Sequence, residues 1–202
     1  MGFFDEVMVT GRRPATPELQ TVQAAHIAPP EGWVLPTVLP SVRVLGQSPN
    51  ARIALVGLLC WPDGVTLDIR LMCRQRRSDD DAWAFRFGVQ YADRRRVAAH
   101  EFPVQGRAPE RAPDGLVLRP TIGGGGRFHR HWEFYLWPLP PRGRLTLVAD
   151  WPAEQIPETY TELDAGEIRS AAARSVVVWR DLPAAEMSRT GGPQGRAPTS
   201  IL

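Results

Sequence analysis

The chain has 202 residues, is 43% hydrophobic and carries 24 basic against 22 acidic residues, for a net charge of +2. That balance suits one globular domain with a real core and argues against a nucleic-acid-binding face, which needs concentrated positive charge. Every basic residue is arginine, as codon bias in a GC-rich genome produces, and the longest apolar run, Ile53 to Trp61, is far short of the ~20 residues that span a bilayer.

Residues 1 to 37 hold prolines at 14, 17, 29, 30 and 36 and show little periodicity. They read as an extended or partly disordered arm. Thr16-Pro17-Glu18 suits a short helix start, and Trp33, Val34 and Leu35 are placed to pack against the domain. No secretory signal is legible in MGFFDEVMVTGRRP. Two cysteines are too few for a disulfide framework, so free thiols and a cytoplasmic location are expected.

The domain is expected over residues 38 to 180. Val42 and Val44 alternate with Arg43, and Gly46 to Asn50 form a turn. Arg52–Trp61 is apolar on both parities, which suits a central strand. Pro62-Asp63-Gly64 turns the chain, because proline presets one dihedral and glycine permits a positive one. Val65 to Cys73 then alternates, with Val65, Leu67, Ile69, Leu71 and Cys73 inward. This hairpin puts Cys60 and Cys73 on opposite parities. Trp83, Phe85, Phe87, Val89 and Tyr91 define the cleanest amphipathic strand, followed by a weaker one over Val97 to Phe102. Residues 103 to 114 read as a loop, and Leu116–Thr121 as a strand running into Gly123–Gly126.

The central stretch runs from Ile122 to Trp151. Phe128, Trp132, Phe134 and Leu136 share one parity; His129, His131, Glu133, Tyr135 and Trp137 share the other. Closing a hairpin across residues 138 to 143 sets Leu136 against Leu145, Phe134 against Leu147 and Trp132 against Ala149. It also sets His131 opposite Asp150. Beyond it come Tyr160–Leu163, a helix over Ala165–Arg174 capped by Asp164 with Glu167 three residues on, and a short strand at Val176–Trp179. Residues 181 to 202 are rich in Pro, Gly, Ser and Arg and read as a disordered tail. The expected fold is all-β: an antiparallel, immunoglobulin-like β-sandwich of about eight strands with one short C-terminal helix. Trp-Pro pairs at 61–62, 137–138 and 151–152 mark strand ends.

Few residues carry chemistry. His129 and His131 point the same way, about 7 Å apart along a strand, and can reach one metal ion. With Gly123 ahead of them they resemble the first metal motif of the cupin family. Glu133 falls only two positions beyond His131, where that family's glutamate lies three or four beyond, and no histidine follows. The competing reading is a polar outward face. Gly123–Gly126 could form an anion nest, but a strand follows and no lysine does, so a flexible hairpin lead-in is preferred. Asp79–Asp81 and His100-Glu101 read as surface. Tyr135 and Trp137, as exposed aromatics beside Arg142 and Arg144, form the candidate binding patch, for a protein partner, the N-terminal arm or a sugar.

The glycine run, LWPLPP, LTLVADWP, IPET and LDAGEIRSAAAR resemble a family of β-sandwich-like proteins from high-GC Gram-positive bacteria, over residues 38 to 180. The resemblance implies a folded bacterial cytoplasmic module and carries no activity. The functional expectation is a non-catalytic module that binds a protein partner or self-associates, with no cofactor, nucleic acid or membrane. A cupin-like metal or small-molecule site, with an enzymatic role open to it, is the second reading, and a carbohydrate-binding module the third.

Overall fold

A computed structural model of the chain describes residues 2–5, 29–30, 32–76, 84–99, 115–179 and 181. The capped helix expected at Thr16, Trp83, Asp79–Asp81, His100-Glu101, the loop at 103–114 and the tail from 182 lie outside the described residues. The fold is an all-β sandwich.

Two antiparallel sheets carry the core. The strands are β1 (Val34–Leu35), β2 (Thr37–Gln47), β3 (Ala51–Cys60), β4 (Val65–Cys73), β5 (Arg86–Gln90), β6 (Arg96–Ala98), β7 (Val117–Gly125), β8 (His129–Trp137), β9 (Arg144–Trp151), β10 (Ile156–Asp164) and β11 (Val176–Val177). The helix α1 spans Ala165–Ala172. One sheet has the order β2-β3-β4-β8-β7, the other β10-β9-β5-β6, and β1 pairs with β11 as a small third sheet. The alternation of β4 sends Val65, Leu67, Ile69 and Leu71 inward, all fully buried. Leu145, Leu147, Ala149 and Trp151 of β9 meet them from the other sheet. Phe87 of β5 and Phe134 of β8 pack across the gap as a tilted pair with ring centroids 4.9 Å apart.

The expected hairpin of the central stretch does not form. β8 pairs with β4 and β7, whereas β9 pairs with β10 and β5 in the opposite sheet. The parity assignment holds within β8 and β9, where Phe134, Leu136, Leu145 and Leu147 face the core and Trp132 packs against it, but Phe128 precedes β8 and is exposed. The core-facing residues of the two strands face one another across two layers instead of lying side by side on one. Facing sheets sit about 10 Å apart, and residues 138–143 are long enough to cross that gap. The crossing is tied down by Tyr91 Oη donating to the Pro138 carbonyl, Leu139 N donating to Asp63 O at 2.8 Å and Arg169 donating to Pro140 O at 3.2 Å. The Trp137–Pro138 peptide is cis.

Two further expectations change for local reasons. A bulge between Leu55 and Gly57 swaps the parity of β3, so Ile53, Leu55, Leu58 and Cys60 are all buried on one face. Hence Cys60 and Cys73 lie on the same face, not opposite ones. Both are free thiols, separated by the length of β4. The glycine run is not a loop: Gly123–Gly125 continue β7 along β8. A Cβ on Gly123 would lie 2.0 Å from the Trp132 ring, so the indole of Trp132 lies across the bare backbone of β7. Val42 and Val44 are exposed on β2, an edge strand interrupted by two bulges.

Strands β3, β8 and β9 end at or beside their Trp-Pro pairs. The helix α1 begins at Asp164, whose carboxylate accepts from Gly166 N at 2.7 Å.

Candidate functional site

The sandwich has two outer faces, and both are partly covered by the N-terminal part of the chain. On the five-stranded sheet, β1 and β11 lie over the end that carries Trp61, Tyr135 and Trp137. Val34 and Val177, which pair, turn inward, and Trp33 packs beside them. Leu35 is exposed. Tyr135 is fully buried, its hydroxyl 3.1 Å from Asp63 Oδ1, and Trp137 is half-buried in the same cluster. Burial, followed by the charge and hydrogen bond of Asp63, pushes the Tyr135 hydroxyl far above the usual phenol range.

The expected binding patch is therefore divided. Tyr135 is an internal residue and Trp137 is largely covered by the chain's own β1 segment. Arg144 belongs to the other sheet, where it pairs with Glu162 at 2.8 Å. Arg142 is exposed on the crossing between β8 and β9. The reason is the same as for the lost hairpin: residues on one parity of β8 and on β9 look out from opposite layers.

His129 is exposed and His131 half-buried, opposite Met72 and Arg70 of β4. Asp150, the expected partner of His131, sits in the other sheet and binds Arg86. Among the described residues no group of three or more His, Cys, Asp and Glu stands close enough to hold a metal ion. The surface depressions among the described residues are shallow. One, of about 490 Å³, lies between Gln90, Tyr91, Thr146, Tyr160 and Glu162.

The most built surface is the outer face of the four-stranded sheet. The registers lay its outward residues in rows. Tyr160, Val148, Gly88 and Ala98 form one row across β10, β9, β5 and β6. Glu162, Thr146, Gln90 and Arg96 form the next, and Asp150 with Arg86 lies on the other side of the first. The first row is apolar and, at Gly88 and Ala98, has almost no side chain. That leaves a groove.

Phe3 and Phe4 fill it. They are 4% and 3% exposed and cluster with Ala98 and Val148. A Cβ on Gly88 would fall 2.4 Å from the Phe3 ring, so only glycine leaves room for it. The Arg86 guanidinium lies 4.7 Å from the Phe4 ring centre and that of Arg96 lies 6.0 Å from the Phe3 ring centre. Residues 3–5 form a single helical turn. Glu158 serves its first amides, accepting from Phe3 N at 3.0 Å and Phe4 N at 3.5 Å. Asp5 closes the turn by accepting from Gly2 N at 3.1 Å.

The charges that hold this segment are themselves fixed. Arg86 Nε donates to both carboxylate oxygens of Asp150 at 2.9 Å, and Asp150 is 3% exposed. Tyr160 Oη donates to Glu158. Partial desolvation pushes the Glu158 carboxyl up, but the hydrogen bonds from Tyr160, Phe3 and Phe4, with the charge of Arg86, outweigh it and hold it below the usual glutamate range.

The energetics make docking reversible. Burying two phenylalanine rings is worth about 3–6 kcal/mol. Fixing the backbone of four residues costs about 4–8 kcal/mol. Two cation–π contacts at about 0.5–1 kcal/mol each and the hydrogen bonds to the Glu158 carboxylate more than cover the difference and tip the balance modestly toward docking.

The composition of the arm obscured this site. The adjacent phenylalanines are a lone aromatic pair in an arginine- and proline-rich stretch, and Gly88 and Ala98 sit on the parity normally given to polar residues. Those two anomalies were the available signals. No known protein family, curated protein or solved structure matches the chain.

Proposed function

We propose that the protein is a non-catalytic interaction module that holds a short aromatic protein segment on the outer face of its four-stranded sheet. The observation that carries this is the groove at Gly88, Ala98 and Val148, complementary to Phe3 and Phe4 and flanked by Arg86, Arg96 and Glu158. An apolar slot with a few convergent polar groups is the ordinary make-up of a peptide-binding surface. The reading moves the interaction surface away from Tyr135 and Trp137.

The test uses the full chain with Phe3→Ala and Phe4→Ala, which empties the groove without touching its walls. A fluorescent peptide, Gly-Phe-Phe-Asp-Glu, is titrated by anisotropy. Saturable binding that is lost on adding Gly88→Ala supports the reading. Absence of saturation at millimolar peptide, or binding indifferent to Gly88→Ala, overturns it.

A further inference from the structure

We propose that the depression across β5, β9 and β10, on the side of the Phe3–Phe4 turn away from Asp150, binds an uncharged carbohydrate of one or two sugar rings. The site lies beside the groove described above and leaves that turn docked.

Register builds its floor. Glu162, Thr146 and Gln90 stand in one row on three neighbouring strands and point outward. With adjacent strands about 4.8 Å apart, the row spans ~10 Å, roughly the length of two linked pyranose rings. Ala92 and Arg144 complete the rim. The volume of about 490 Å³ falls within the roughly 300–1,000 Å³ of small-molecule sites.

The floor offers hydrogen-bonding groups that the fold does not spend. Among the described residues, the Thr146 hydroxyl and the Gln90 amide make no side-chain hydrogen bond to the protein. Each can both donate and accept, as each hydroxyl of a sugar does. Glu162 gives Oε1 to Arg144 at 2.8 Å and keeps lone pairs for a further donor.

The rim offers an apolar surface. Tyr160 is 57% exposed and stands one row over, diagonal to Thr146, a separation an aromatic side chain can reach across. Its hydroxyl donates to Glu158, which anchors the ring at the edge of the depression. An anchored tyrosine beside polar groups suits a pyranose, whose C–H face packs on the ring while its hydroxyls turn to the floor.

Charge sets the ligand class. Among the described residues that line the depression, Arg144 and Glu162 are the charged ones, and they neutralise each other. That leaves no spare cation for a phosphate and no spare anion for an amine, so the ligand is neutral.

The test titrates maltose, cellobiose and N,N′-diacetylchitobiose into the native chain, with glycerol and inorganic phosphate as controls, and follows amide resonances including the Gln90 side chain. At least one disaccharide is expected to saturate at millimolar concentration, moving Gln90 and Thr146 while Gly88 and Ala98 stay in place. Tyr160→Ala is expected to weaken that binding about tenfold, by loss of the ring contact. Thr146→Val is expected to weaken it about three- to tenfold. Tyr160→Phe keeps the ring but drops the bond to Glu158, and is expected to bind within about twofold of the native chain. Each variant is first checked for native thermal unfolding. No saturable shift of Gln90 or Thr146 by any of the three disaccharides, or a response equal to that of glycerol, overturns the site. Saturation by phosphate in place of the sugars overturns the neutral class. Binding unchanged by Tyr160→Ala overturns the role of the ring.

Discussion

The two outer faces of the sandwich are covered by parts of the same N-terminal stretch, yet by different physics. Over the five-stranded sheet, β1 pairs with β11 through backbone hydrogen bonds and shields a buried tyrosine whose hydroxyl is satisfied by Asp63. Over the four-stranded sheet a single helical turn is held by two rings, two guanidinium faces and one carboxylate. The first cover belongs to the folding unit. The second is held through side chains of the sheet, with no strand pairing. Burial alone does not separate them, since Phe3 and Val34 are both 4% exposed; what separates them is how much of each contact the rest of the fold enforces.

The sharpest contrast is expected at Tyr135. Replacing it by alanine removes a fully buried ring and strands Asp63, and should cost about 3–5 kcal/mol in urea denaturation. A loss below about 1 kcal/mol would put the β1–β11 cover in the same class as the N-terminal turn. Arg86→Ala should cost about 1–2 kcal/mol, because it leaves the 3%-exposed Asp150 carboxylate without its guanidinium while water can enter where half of that side chain is already exposed. Phe3→Ala with Phe4→Ala should change global stability by less than about 1 kcal/mol. It should shift the amide resonances of Gly88 and Ala98 and leave the rest of the spectrum folded, whereas a cover integral to the fold would show a loss of about 3–5 kcal/mol.

The next effect is one of pH. The Glu158 carboxyl is held below its ordinary value of 4.5 when the turn is docked. Its contribution is therefore complete above that value and is lost as pH falls through the lower, docked pKa. The Gly88 and Ala98 resonances should move toward those of the double variant below about pH 4.5, whereas Glu158→Gln should abolish this acid-dependent step. The smallest effect concerns the thiols. Burial pushes the Cys60 thiol up to about 11 against a lowering by Arg174, so a thiol reagent at neutral pH should label Cys73 first and Cys60 only on unfolding.

Much of the framework was legible because side-chain alternation is local. The bounds of β4, the central place of β3 and the cap at Asp164 follow from parity and turn chemistry alone. Pairing was less legible. Phe134 and Leu147 are mutually complementary on a hairpin and equally so across a core, and parity cannot tell one from the other. The bulge after Leu55 reversed the facing of Cys60, because one extra residue flips everything that follows. The candidate site was hardest to read. Tyr135 and Trp137 fall on the outward parity, and only the position of β1 shows that outward there does not mean exposed.

The amino-acid sequence by itself determined that this chain builds β-strands, where most of them begin and end, and which face of each is apolar, since those properties depend on neighbours two to four residues apart. Tertiary structure decided which strands share a sheet, which outward residues are covered, and that a Phe-Phe pair near one end of the chain meets a glycine slot near residue 88. Those outcomes depend on residues far apart in the chain, brought together by two sheets stacking, and no periodicity along the chain encodes the distance across the stack.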